Sequence, residues 1–120
     1  MTKEEQNVLK MFGHIKDLPK EDKIELYETI DNFLWDVDMT PDEFLDAFAN
    51  HMDEKAKKRW FAKILTNTDL YNVLRIFTPK VIYKYAFDDE VIDMMFPDSH
   101  QHLWRNIRKN YQETIENGEN

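Results

Sequence analysis

Apolar residues recur along this 120-residue chain every three or four positions, which is the spacing that places side chains on one face of a helix. Thr2 and Glu5 have the spacing of a capping box, so the first helix is predicted to begin at the N-terminus. Its apolar stripe consists of Val8, Leu9, Phe12 and Ile15.

Prolines and helix caps divide the next part of the chain. Pro19 ends the first helix, because proline disfavours helical geometry in the residue before it. A second helix is predicted from about Lys20 to Asp36. Thr40 and Pro41 then begin a third helix, with threonine as the cap and proline in the first turn.

The later helices are predicted to be shorter. The apolar stripe of the third helix and the stripe that contains Trp60 are more than a quarter-turn out of phase, so we predict a break near Asp53, with Asp53 as the next cap. Further helices are predicted over residues 54–66, 70–77, 79–85 and 91–96. Ser99 is predicted to cap a final helix that buries Leu103, Trp104, Ile107, Tyr111 and Ile115.

This pattern favours an all-α chain. Only two glycines occur, and no Asn-Gly or Asp-Gly dipeptide separates two apolar runs as in a β-hairpin. Six or seven short-to-medium helices with short connections predict a compact irregular bundle. The length suits a single domain, which we place at residues 1–117, with residues 118–120 as a frayed tail.

The rare residues exclude several kinds of site. The chain has no cysteine, which removes disulfides, thiol catalysis and cysteine-based zinc sites. Its two glycines cannot form a phosphate-binding loop, and its one serine lacks the neighbouring glycines of a nucleophile elbow. Charges interrupt every apolar run, and no secretory signal is recognisable. We expect a cytoplasmic protein without cofactor, membrane contact or catalytic residues.

The histidines do not have the spacing of a metal site. His100 and His102 are two residues apart, so on a helix they point in nearly opposite directions. His51 has no histidine or glutamate four residues away with which to chelate a metal. The aspartate-rich segment that begins at Asp36 resembles the start of a calcium loop. Its sixth residue is Pro41, where glycine is needed, and its twelfth is Ala47, where the bidentate glutamate belongs.

Charge is unevenly distributed. The chain has a net charge of −8, with −10 in residues 1–54, +5 in residues 55–64 and −3 in residues 65–120. The acidic part is either a solvated face that favours solubility or a surface that meets a basic partner. Carboxylates on successive helical turns stand roughly 5–6 Å apart, close to the phosphate spacing of a nucleic-acid strand. Such a face could imitate nucleic acid.

Trp35 lies outside the apolar stripe of the second helix. Either another helix covers it, or it is an interface anchor, since tryptophan dominates binding hot spots. The leading hypothesis is a small acidic regulator or inhibitor, of the kind that phages and bacteria encode, which binds a partner protein with a basic surface. The predicted contact residues are Trp35, Glu28, Asp31, Asp38, Asp42, Asp46 and Asp53.

Two alternatives belong to other functional classes, and a homodimer is compatible with all three. The first is a nucleic-acid-associated accessory subunit, although the acidic balance makes nucleic acid the less favoured partner. Its contacts would be Lys55, Lys58, Arg59 and Lys63 on the basic helix and Arg105, Arg108 and Lys109 on the final helix. The second is a small helical enzyme that uses buried carboxylates with His51 or His100.

Overall fold

The computed structural model describes the backbone of residues 1–118 and the side chains of residues 1–113. This part of the chain contains eight α-helices and a 3₁₀ turn at Ile15–Asp17. The all-α prediction is confirmed, with eight α-helices in the described residues where six or seven were expected. The helices are α1 (Lys3–Phe12), α2 (Lys20–Phe33), α3 (Pro41–Asn50), α4 (Glu54–Asn67), α5 (Leu70–Ile76), α6 (Pro79–Ala86), α7 (Asp89–Asp93) and α8 (Asp98–Gly118).

Three predicted helix starts are confirmed by their cap geometry. Thr2 accepts a hydrogen bond from the backbone N–H three residues on, at 3.1 Å. Thr40 and Glu43 form a reciprocal capping box at the start of α3. Asp53 accepts the N–H of Ala56 at 2.7 Å, so the out-of-phase stripes do belong to two helices.

The end of α1 is tied to the start of α6. Gly13 ends α1 with a φ of +64°, a conformation that side chains disfavour, and its N–H donates to the Leu9 carbonyl. Thr78 then donates its N–H to the Met11 carbonyl at 2.9 Å and its hydroxyl to the Lys10 carbonyl at 2.8 Å. These bonds satisfy carbonyls that a helix end leaves without partners.

Seven buried rings from six parts of the chain meet in one aromatic core. Neighbouring ring centroids are 4.7–6.3 Å apart, mostly in tilted or edge-to-face pairs. Such pairs contribute about 0.5–1.5 kcal/mol each beyond the burial of their apolar area. The aromatic core consists of Phe12, Phe33, Phe44, Phe48, Phe61, Phe77 and Tyr85.

The second helix is shorter than predicted. α2 ends at Phe33, whereas the sequence pattern suggested an end near Asp36. The chain tightens there because the Leu34 N–H donates to the carbonyls of both Ile30 and Asp31. Leu34 remains buried in the core, and the residues after it leave the helix axis.

The final helix buries much less of its stripe than predicted. Among the described side chains of that stripe only Trp104 is buried, whereas Leu103, Ile107 and Tyr111 are partly or largely exposed. α8 packs on α7, where Arg108 reaches Asp89 at 2.7 Å, and this contact leaves the rest of the described stripe only partly covered.

The start of α8 differs from the prediction, and part of its C-terminal end cannot be compared with it. The helix begins at Asp98, so Ser99 lies inside its first turn and is not the residue before it. The predicted burial of Ile115 lies outside the described residues, as does the fraying of residues 119–120.

We expect Phe44→Ala to lower the free energy of unfolding by about 3–5 kcal/mol, because it leaves a cavity among four neighbouring rings. Tyr71→Ala is the matched control, since the Tyr71 ring is exposed, and it should cost less than about 1 kcal/mol. Urea denaturation measures both values. Equal losses in the two variants would contradict the aromatic core as the main source of stability.

Candidate protein-binding surface

The end of α2, the segment 34–40 and the start of α3 carry most of the predicted contact residues. Tyr27 on α2 donates its hydroxyl to Asp42 on α3 at 2.7 Å, which holds the two helices together at this point. Asp31 lies one helical turn beyond Tyr27, so carboxylates of both helices are neighbours. We call this region the acidic surface, and it consists of Glu28, Asp31, Asp38, Asp42 and Asp46.

The carboxylates of the acidic surface have few charged partners. Within the described residues, none of them forms an ion pair with lysine or arginine. Asp46 lies 3.2 Å from His51 and accepts a hydrogen bond from Asn50 at 2.9 Å. Burial and the bond to Asp42 raise the pKa of Tyr27, so its phenol stays protonated and adds no charge.

Trp35 is exposed beside this surface. It lies just after the end of α2, and 78% of its surface is accessible to solvent. The interpretation that another helix covers it is therefore wrong. Ile24, which shares the outer side of α2 with Glu28, is also exposed. Two large apolar side chains thus accompany the carboxylates.

The structure places Asp53 apart from the other predicted contact residues. Asp53 caps α4 and lies beyond the C-terminal end of α3, whereas Asp42 lies in the first turn of α3. At a rise of about 1.5 Å per residue, roughly 15 Å separates them. Asp53 therefore contributes to helix capping rather than to the acidic surface.

Four of the seven predicted basic contact residues are held in ion pairs. Their acidic partners are Asp36, which follows α2, and residues at or next to α7. Within the described residues, Lys55, Arg59 and Lys109 have no acidic partner. The pairs are Lys58 with Asp88 at 3.4 Å and Glu90 at 3.2 Å, Lys63 with Asp36, Arg105 with Asp93, and Arg108 with Asp89 at 2.7 Å.

Lys63 and Arg108 lower the pKa of the carboxylates that they contact. The hydrogen bond from Lys63 holds the pKa of Asp36 below its ordinary value, and the hydrogen bond from Arg108 does the same for Asp89. Lys63 also lies 4.8 Å from the centre of the Trp60 ring. Residues three apart are neighbours on a helix, so Lys63 lies beside Trp60.

The described histidines do not belong to a group of side chains that could hold a metal ion. Among the described residues, no group of three or more His, Asp or Glu side chains is arranged to bind an ion. His51 contacts Asp46 at the end of α3, and His100 is half-buried in the first turn of α8.

Tyr85 joins α6 to the basic helix α4. Its hydroxyl donates to Glu54 at 2.9 Å, and Lys84 lies 3.3 Å from the same carboxylate. Partial burial alone would raise the pKa of Glu54, but the bonds from Tyr85 and Lys84 outweigh it and lower the pKa. Burial and Glu54 raise the pKa of Tyr85. This is a structural contact that the sequence pattern did not predict.

Comparisons with models of protein families, with curated proteins and with solved structures found no match. None of the described helices has the length and apolar character needed to cross a membrane. The function is therefore inferred from the geometry of the chain itself. Sequence analysis missed the hydrogen bond from Tyr27 to Asp42, because Tyr27 lies among the apolar residues of the second helix.

Caesium ions should quench the fluorescence of Trp35 more efficiently than iodide ions, relative to their action on a free indole, because the surrounding carboxylates attract cations. Reversing charge with Asp31→Lys and Asp38→Lys should lower the caesium-to-iodide ratio of quenching constants at least about twofold at low salt. The Trp35→Phe variant separates the fluorescence of Trp35 from that of the other two tryptophans.

The control for that measurement is Asp98→Lys with Glu113→Lys, which changes the net charge equally on α8. An unchanged ratio in the first double variant, or an equal fall in the control, would contradict a local negative potential at Trp35.

Tyr85→Phe should lower the free energy of unfolding by about 1 kcal/mol at pH 7. The folded pKa of Glu54 lies below its ordinary value of 4.5, so its stabilising contribution is present above that pH and is lost as pH falls through the folded value. The loss should therefore shrink at pH 3. Tyr83→Phe removes a hydroxyl that has no partner in the described part of the chain and serves as the control in the same denaturation series. A loss that is equal at both pH values would count against this contact.

Proposed function

We propose that this chain is a protein-binding module, a regulator or inhibitor that engages a basic surface of a partner protein. The observation that carries the proposal is Trp35, a largely exposed tryptophan beside carboxylates that have no lysine or arginine partner among the described residues. Tryptophan buries a large area with little loss of conformational freedom, which is why it recurs at binding hot spots.

The charge of the acidic surface supplies the second support. Unpaired carboxylates attract a basic partner over a distance of about one Debye length, which accelerates encounter and selects against acidic partners. Asp42 and Asp46 lie one turn apart on α3, so their spacing also suits a groove that normally receives phosphates. A nucleic-acid-binding enzyme is one class of partner with such a groove.

The surface suits an anchor with a charged rim. Trp35 and Ile24 would lose their contact with water on binding, and the surrounding carboxylates would pair with lysine or arginine of the partner. Removal of water from around Trp35 would strengthen those ion pairs. Truncation of the anchor is therefore expected to speed dissociation, while reversal of rim charges slows association.

Affinity capture from native cell extract tests the proposal with three baits. They are the intact chain, a variant with Trp35→Ala, Asp42→Lys and Asp46→Lys, and the control with Asp98→Lys and Glu113→Lys. We expect proteins that the intact chain and the control both retain to be reduced at least about tenfold on the triple variant. Circular dichroism confirms that all three baits are folded.

The identity of the captured material distinguishes the alternatives. A basic protein that is lost from the triple variant supports the proposal, and its binding should weaken as salt increases. Recovery of the same proteins on all three baits would refute this surface. Retention of nucleic acid that depends on Lys55 and Arg59 would favour the accessory-subunit hypothesis instead.

A further inference from the structure

A second surface lies between α5, α6 and α8. The partly filled stripe of α8 leaves a cavity of about 300 Å³, which opens to solvent between the three helices. Its walls are apolar or aromatic, and Tyr111 of α8 faces Tyr83 and Phe87 of α6 with ring centroids 6.0 and 5.3 Å apart. We call this region the α8 groove.

Large side chains at the α8 groove are exposed to an unusual extent. The accessible fractions are 54% for Leu74, 53% for Tyr83, 44% for Tyr111 and 39% for Leu70. Leu103, at 53%, borders the groove from an adjoining pocket that shares Leu70, Trp104 and Ile107 with it. Apolar patches of this kind on soluble proteins commonly mark contacts with another molecule. The groove shares no residue with the acidic surface.

Although the chain as a whole is acidic, negative charge is also sparse around the groove. Its lining contains no charged residue. The two segments that form it, residues 70–87 and 99–112, contain six basic residues and no acidic one. Four of the six are paired with acids from elsewhere in the chain, which leaves the surroundings of the groove close to neutral.

We propose that the α8 groove is the contact surface of a homodimer with two-fold symmetry. A two-fold contact uses the same patch on both copies and places like charges near one another. For a chain with a net charge of −8, such a contact is favourable only through an uncharged surface. A partner recognised by charge would find nothing in this lining to pair with.

The exposed area is sufficient for such a contact. A fully accessible leucine or tyrosine side chain presents on the order of 200 Å², so the five partly exposed residues present roughly 500 Å² per copy. Two copies would bury about 1,000 Å² from these residues alone, which is the lower limit of specific interfaces.

The dimer would carry two copies of the acidic surface. Two linked binding surfaces raise the apparent affinity for a partner that presents repeated basic sites. Dimerisation itself depends only on the α8 groove and can be measured without any partner protein.

Sedimentation equilibrium of the full chain from about 1 to 300 µM tests the dimer directly. We expect the mass to approach twice the 14.6 kDa of the chain. Leu74→Glu and Leu103→Glu should each raise the dissociation constant at least about tenfold, because each buries a charge opposite its own copy. Both side chains are already half in solvent, so the folded monomer should tolerate the changes.

Phe96→Glu and Trp35→Glu are matched controls, because each adds one negative charge at an exposed apolar residue outside the groove. Both should dimerise as the unmodified chain does. Raising salt from about 50 to 500 mM should strengthen the dimer, since salt screens the repulsion between two acidic chains.

Three results would overturn the proposal. They are a mass of one chain throughout the range, groove variants that associate as the unmodified chain does, and association that weakens with salt or is lost in Trp35→Glu. The last result would indicate a head-to-tail contact through the acidic surface. A monomer that still captures a basic partner would overturn only the dimer and leave the proposed function intact.

Discussion

The fold depends on the convergence of rings in the aromatic core. Phe44 alone contacts rings from α1, α2, α3 and α4, so the positions of these helices are coupled through one side chain. Close packing of rigid rings admits few relative orientations. Short helices such as α5 and α6, which are marginal in isolation, become stable because each supplies a ring or aliphatic side chain to this centre.

Ion pairs determine which parts of the surface remain charged. Lys58 binds acids at the start of α7, and Arg108 connects α8 to the same helix. Most of the basic side chains near α7 and α8 are therefore already in ion pairs. In the described part of the chain, the carboxylates at the end of α2 and the start of α3 remain without lysine or arginine partners. The acidic surface is thus a consequence of where the cations are held as much as of the number of acids.

The two surfaces differ in the physical interaction they offer. The acidic surface combines an exposed tryptophan with unpaired charge, which suits selective recognition of a basic molecule. The α8 groove combines exposed apolar area with the absence of charge, which suits contact with an identical surface. A chain of this size that used both could bind a partner bivalently without a linker.

The sequence by itself determined the all-α class and several helix starts, because capping at Thr2, Thr40 and Asp53 depends on residues only three positions apart. It also determined the imbalance of charge. Tertiary structure decided the exposure of Trp35 and the incomplete burial of Leu103. A helical stripe shows which side chains share a face, but burial requires another element opposite that face, and only the packing of the distant helices decides whether one is present.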